Sequence, residues 1–250
     1  ELGIHLKNCR KIAQDLSKIF EVYWIIGASP TIPTHWPSFL DTNINKETPL
    51  KVNFGSPTDI YISSSPKQLN PNGRTNDIDA LLDVINSAQK FIYIAVMDYA
   101  PEFIYIDPHR YWPPIDDALK TAAIERNVSV RLLPSTWQHT EQNMFTYLRS
   151  LYAFSKFKGA GTIEVKLFSV PPLSYIQIPY TRVNHNKYMV TEKHAYIGTS
   201  NWSADYFVNT GGVAFVANST KVSNETIRGK LESIFLRDWS SPYAIPLPSQ

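Results

Sequence analysis

The sequence predicts a layered α/β domain, and three observations carry that prediction. From Tyr61 onward, short apolar runs rich in strand formers alternate with longer stretches of helical period. The 250 residues are 43% hydrophobic and 18% charged, with fourteen Tyr, twelve Phe and six Trp, so a sizeable core is easily built. The run His185-Asn186-Lys187-Tyr188-Met189-Val190-Thr191-Glu192 sets an imidazole and an ammonium into one stretch of strand formers.

Taken in order, Ile12, Ala13, Leu16, Ile19, Phe20 and Tyr23 recur at helical spacing and predict an amphipathic helix over 8–24. Residues 28–50 are rich in Pro, Thr and Asn and read as an extended connector. Tyr61-Ile62-Ser63-Ser64-Ser65-Pro66 opens a new unit. Asn76 or Asp77 caps a helix over 77–90, and 91–97 is an apolar strand. A helix over 114–126 follows Pro113-Pro114; then come a strand at 128–133, a helix at 141–154 and a strand at 163–170. After the motif strand and a second short one at 195–198, residues 212–217 add a strand and 225–239 a closing helix. Strands alternating with helices give the α/β class. The first 45 or so residues stand outside this repeat.

Net charge is only +2, which makes no broad nucleic-acid surface; phosphate recognition must be local to a site. Cys9 is the single cysteine, so no intrachain disulfide forms; it is either a buried apolar thiol or one whose partner lies outside this chain. No run of 18 apolar residues exists to span a membrane. With no initiator Met and no signal peptide, a chain opening Glu1-Leu2-Gly3 reads as a fragment or a processed product. Glycosylation sequons begin at Asn127, Asn201, Asn218 and Asn224; Asn218 and Asn224 flank a polar loop and are the better acceptors if the chain is secretory.

Side chains at i and i+2 of a strand share a face, so His185 and Lys187 are expected to point together. Asn201 follows, just past the second strand, in Gly198-Thr199-Ser200-Asn201-Trp202. Imidazole, ammonium and carboxamide converging on one point suit an anionic phosphate. Glu192 lies five residues past Lys187, which alternation puts on the opposite face. Asp98-Tyr99 also follows a strand end, and either faces the site or packs in the core or at the rim. Trp137 and His139 either line a groove by stacking on a base or belong to an ordinary capped loop. His109-Arg110-Tyr111-Trp112 fits a nucleic-acid contact or a cation–π surface cluster. No Cys/His ligand set, H-E-x-x-H or P-loop is present, so neither a metal nor a cofactor is expected.

The motif, H-x-K-x4-E followed by G-T-S-N, resembles the phospholipase D superfamily signature. Glu192 stands where the superfamily usually has Asp, and the gap to Gly198 is one residue shorter than usual. Arg182-Val183-Asn184-His185 and Arg237-Asp238-Trp239-Ser240-Ser241-Pro242-Tyr243 sharpen the likeness to the lysosomal phospholipase D-like branch, members three and four, and its poxviral relatives. That branch also uses Glu in this motif. The likeness implies a layered α/β/α domain with a mixed central sheet. Residues 1–48 would be the end of a preceding N-terminal half, and 49–250 the C-terminal domain carrying the second H-x-K motif.

The implied chemistry is a metal-independent phosphodiesterase working through a phosphohistidine, with two H-x-K motifs facing each other. By this resemblance His185 takes the acid/base role, Lys187 and Asn201 contact phosphate oxygens, and Glu192 joins the catalytic set as a carboxylate that fixes the motif or the partner His. His5-Leu6-Lys7 has the bare triplet without the acid that should follow, so the second motif is expected from an N-terminal half or a partner subunit, in a homo-oligomer. A lone half should be inactive. The implied activity is 5′-to-3′ exonuclease action on single-stranded DNA or RNA. Phospholipid cleavage or transphosphatidylation shares the chemistry, and a non-catalytic phosphate-binding half is the third reading. An endolysosomal lumen is implied, with the ER/Golgi lumen or secretion as the alternative.

Overall fold

The computed structural model describes residues 1–29, 31–156, 161–173, 175–176, 178–219, 221 and 223–248. The N-terminal apolar period forms α1 (Arg10–Gly27), which buries Ile12, Ile19 and Val22. After the connector come β1 (Leu50–Asn53) and β2 (Pro57–Ser65), then α2 (Asp77–Ser87) and β3 (Phe91–Val96). A small ribbon, β4 (Glu102–Phe103) and β5 (Arg110–Tyr111), precedes α3 (Pro114–Arg126). Next are β6 (Ser129–Thr136), α4 (Gln142–Ala153) and β7 (Ile163–Ser169). The motif supplies β8 (Lys187–Thr191) and β9 (His194–Gly198), followed by the short α5 (Ala204–Val208). The chain closes with β10 (Gly212–Asn218), α6 (Ile227–Trp239) and β11 (Ala244–Pro246). No helix among the described residues is long and apolar enough to cross a membrane.

Among the described residues nine strands form one sheet in the order β1-β2-β10-β9-β8-β3-β6-β7-β11. The β3–β6 and β6–β7 pairs are parallel and the other pairs antiparallel, so the sheet is mixed as expected. Strand alternation divides the core into two layers. Ile92, Ile94 and Val96 of β3 and Met189 of β8 pack under α2, α3 and α4. Ala95 of β3 and Tyr188 and Val190 of β8 pack under α1 and α6, against Ile12, Ile19, Leu231, Phe235 and Trp239.

Helix α1 stands outside the α/β repeat, yet it is fastened to the sheet. Arg74 donates to Asp15 at 2.6 and 3.0 Å and to the Ile62 carbonyl at 3.0 Å, and Thr42 also donates to Asp15. Both charged side chains are almost wholly buried, and in that setting a two-bond guanidinium–carboxylate pair holds the geometry that burial demands.

A second buried carboxylate has a different character. Asp77, at the start of α2, accepts from Ser63 Oγ at 2.9 Å and Tyr196 OH at 2.8 Å, and none of its bonds among the described residues comes from a cation. Burial pushes its carboxyl up to about 6, although the bonds from Tyr196 and Ser63 oppose the rise. The folded state therefore holds this proton more tightly than the unfolded chain does. Its contribution to stability is fully present below the ordinary value of 3.8 and is lost as pH rises through about 6, at most about 3 kcal/mol. Asp77→Asn, which keeps an acceptor for both hydroxyls, should abolish this component. Urea midpoints of variant and wild type should therefore diverge in the variant's favour from about pH 4 to pH 7, and a constant difference would disprove the assignment.

Candidate active site

One end of the sheet collects three chain segments. Strand β8 runs antiparallel to β3 with Lys187 opposite Val96, so β8 begins where β3 ends. Tyr188 pairs with Ile197, so β9 also leaves the sheet at this end. Asp98, His185 and Asn201 thus sit on neighbouring segments. Trp202 N donates to the Asp98 carbonyl and Ala100 N to the Trp202 carbonyl, each at 3.0 Å, stapling the exits of β3 and β9 together.

Lys187 is buried, and its Nζ donates to the His185 carbonyl at 2.9 Å. Desolvation lowers its ammonium to about 8, against the pull of the Glu1 and Asp98 carboxylates. His185 is exposed; its Nδ1 lies 2.6 Å from Glu1 Oε1. A carboxylate at Nδ1 orients the ring and leaves Nε2 for a substrate. Slight burial works to raise the Glu1 carboxyl, but the hydrogen bond and charge of His185 outweigh it and the net direction is down.

Asn201 is buried, with Nδ2 donating to Asp98 Oδ2 at 3.0 Å and Oδ1 without a partner among the described residues. Burial raises the Asp98 carboxyl; Lys187 and His185 pull the other way, and Glu141 adds to the rise. Behind Asn201 the backbone is tight: a Cβ on Gly212 would lie 2.6 Å from Ser200 Oγ and 2.8 Å from Ser65 Oγ. The result is one fixed cation, one oriented imidazole and one carboxamide at the same end of the sheet, an arrangement able to hold a phosphate and move a proton.

The structure places His185, Lys187 and Asn201 at one end of the sheet, and it differs from the expected strand arrangement in one respect. His185 precedes β8 rather than lying on it, and the Lys187–carbonyl bond, not strand alternation, links the two residues. Glu192 is not at the site. It lies past the far end of β8, roughly 16 Å along the strand from Lys187. Its carboxylate accepts from the backbone amides of Gln89, Lys90 and Phe91 at 2.8, 3.3 and 3.4 Å. The catalytic assignment of Glu192 is corrected accordingly: it anchors the turn into β3. Asp98 does face the site. Glu1 was missed, because a contact across 184 residues leaves no local signal.

Trp137 and His139 meet edge to face at 4.6 Å, and His139 stacks on Tyr180 at 4.5 Å. Trp137, Ile176, Ile178 and Arg182 line a cleft of about 620 Å³. In the other aromatic cluster Arg110 lies 4.3 Å over Phe103, Trp112 stacks on Phe207 at 5.9 Å, and His109 is 3.4 Å from Glu102. Cys9 is free and half-buried. Asn127 and Asn224 are exposed and Asn218 is half-buried at the end of β10. Among the described residues no group of three or more His, Cys, Asp or Glu side chains could hold a metal ion.

The family model described as "PLD3/4, PLD-like domain" matches residues 1–172. The chain belongs to this family. The matched region ends before His185, so family match and motif are independent observations. The chain is 50% identical over 250 residues to the "5'-3' exonuclease PLD3" of Xenopus laevis, covering 98% of this chain and 51% of the relative. It is also 50% identical to the protein of that name from Homo sapiens (98% and 50% covered), and 45% identical to the "5'-3' exonuclease PLD4" of Mus musculus (100% and 51%). The chain thus spans about half the length of the curated relatives it matches.

Among solved structures, NucT from Helicobacter pylori superposes with a TM-score of 0.55 at 16% identity, covering 76% of this chain and 99% of its own. The phospholipase D family member Nuc from Salmonella typhimurium gives 0.54 at 13% identity, covering 77% and 99%. The fold is the phospholipase D fold.

Two outcomes follow from the geometry. Glu192→Gln should destabilise the domain by about 1–3 kcal/mol, through its three amide partners, while leaving sulfate affinity at the site unchanged. Denaturant titration and calorimetry separate the two readouts, and lost sulfate binding in a folded variant would return Glu192 to the site. Sulfate affinity of the wild type should fall as pH rises through about 8, where Lys187 loses its charge. Lys187→Arg should flatten that alkaline limb; a limb unchanged in the Arg variant would assign it elsewhere.

Proposed function

We propose that this chain supplies one half of a metal-independent phosphodiesterase, most specifically a 5′-to-3′ exonuclease acting on single-stranded DNA or RNA. The observation that carries the reading is the meeting of His185, Lys187 and Asn201 at one end of the sheet. The nuclease reading is preferred over the phospholipase because the relatives this chain resembles are named 5′-3′ exonucleases.

In this reading Lys187 and Asn201 offset charge on the phosphate oxygens. His185, held through Nδ1 by Glu1, protonates the leaving oxygen from Nε2 and then takes a proton from water. A second histidine attacks phosphorus. It belongs to another H-x-K motif, from a preceding half or from a second copy in a homo-oligomer, and residues 1–48 are the tail of that preceding half. The endolysosomal lumen is the proposed location, with Asn218 and Asn224 as glycan acceptors.

Mononucleotide release from 5′-hydroxyl single-stranded DNA in the presence of EDTA tests this. Activity should require a second motif, either appearing faster than linearly with concentration or on addition of the N-terminal half. His185→Ala should lower it by about 10²–10⁴-fold. Release that survives this substitution would overturn the reading, and release of choline from phosphatidylcholine without nucleotide release would replace the substrate class.

A further inference from the structure

Three rings are grouped beside the site. Trp137 and His139 follow the end of β6, and Tyr180 lies in the turn five residues ahead of His185. The His139 ring meets Trp137 edge to face at 4.6 Å and lies nearly parallel to Tyr180, at 4.5 Å and 13°. His139 covers one face of Tyr180, yet Tyr180 is 73% exposed, so its opposite face is open. The group is joined to the site, because Ser135 Oγ at the end of β6 donates to the carbonyl of Asn184, the residue before His185. The turn that carries Tyr180 is strained. Tyr180 and Arg182 both have left-handed backbones, with φ of 56° and 64°, which bulky side chains rarely adopt. The Arg182 guanidinium holds the turn with bonds to the Pro171 carbonyl at 2.9 and 2.7 Å, and Thr181 Oγ donates to the Ile178 carbonyl at 2.8 Å. Strain of this kind persists where the surrounding structure fixes a side chain for use.

We propose that Tyr180, backed by His139 and Trp137, is a stacking face for one unpaired base of the nucleic-acid strand whose phosphate lies at His185 and Lys187. The inference rests on the nuclease reading and names how that substrate is held. A flat ring backed by a parallel ring suits a flat aromatic ligand, and every nucleobase has such a face. The exposed Arg182 beside it bonds only a carbonyl among the described residues, so its charge is not cancelled by a carboxylate and can face the strand's phosphates. Trp137 also lines the cleft of about 620 Å³ with Ile178, Pro179 and Arg182, which gives the strand room beside the stack. A paired base is already stacked within its duplex, so this face favours a single strand.

The test is binding of a short 5′-hydroxyl oligothymidylate, followed by fluorescence anisotropy in the His185→Ala background, which blocks turnover. An abasic sugar replaces each nucleotide in turn. Tyr180→Ala should weaken binding by about 5- to 150-fold, the measure of one base–aromatic stack, and Tyr180→Phe, which keeps the ring, should bind as the native chain does. At one position the abasic sugar should cost a similar factor when Tyr180 is present and nothing in Tyr180→Ala. An abasic cost that is the same with and without Tyr180, or an oligonucleotide that does not bind, would overturn the stacking role. Tyr180-dependent binding of phosphatidylcholine vesicles in place of the oligonucleotide would also overturn it and give this face to a lipid surface. Sulfate binding reads the phosphate site separately: it should be unchanged in Tyr180→Ala, and if it were insensitive to Lys187→Ala the phosphate-site reading would fail whatever the abasic series gives.

Discussion

The site depends on the register of β8. This strand lies between β3 and β9, with Lys187 opposite Val96 and Tyr188 opposite Ile197. A slip by one residue would turn every side chain of the strand to the other layer. Met189 would leave the core under α2 and α3, and Tyr188 and Val190 the core under α1 and α6. Because both faces of β8 are buried, the register is fixed from both sides, and the position of Lys187 is fixed with it. The two ends of the strand are also secured. Glu192 gathers the amides of Gln89–Phe91 at one end, and at the other Trp202 is bonded into the exit of β3. Glu192 thus contributes to the stability of the domain, holding the turn into β3 against the far end of β8, away from the site.

Much of this was legible in the sequence. Helices with a strong apolar period, such as α1 and α4, and the buried strands β3, β6 and β7 fell where alternation and turn residues put them. The pieces that escaped are short: β1, the β4–β5 ribbon, α5 and β11 each span five residues or fewer, too few to establish a period. At the site, His185, Lys187 and Asn201 belong to one local run and could be singled out from it, whereas Asp98, following a strand end, left a site position and ordinary packing equally open. The contact between Glu1 and His185 was not readable, since only the folded sheet joins residues so far apart. Nor was the commitment of Glu192 to backbone amides, because an amide acceptor has no side-chain signature to read.

A buried ammonium and a buried carboxamide are costly placements for a protein that gains nothing from them. Lys187 has the His185 carbonyl as its hydrogen-bond partner, and no carboxylate of the described residues forms a direct ion pair with it. That leaves the charge able to answer an incoming anion rather than being spent internally, and desolvation strengthens the answer because water does not screen it. Asp98 is the counterweight: it sits close enough to temper Lys187 and to hold Asn201, but its own burial raises its carboxyl toward neutrality. The weak net charge of the chain is compatible with phosphate recognition for this reason. The positive field is made at one point by position and burial, and a surface rich in lysine is not needed to make it.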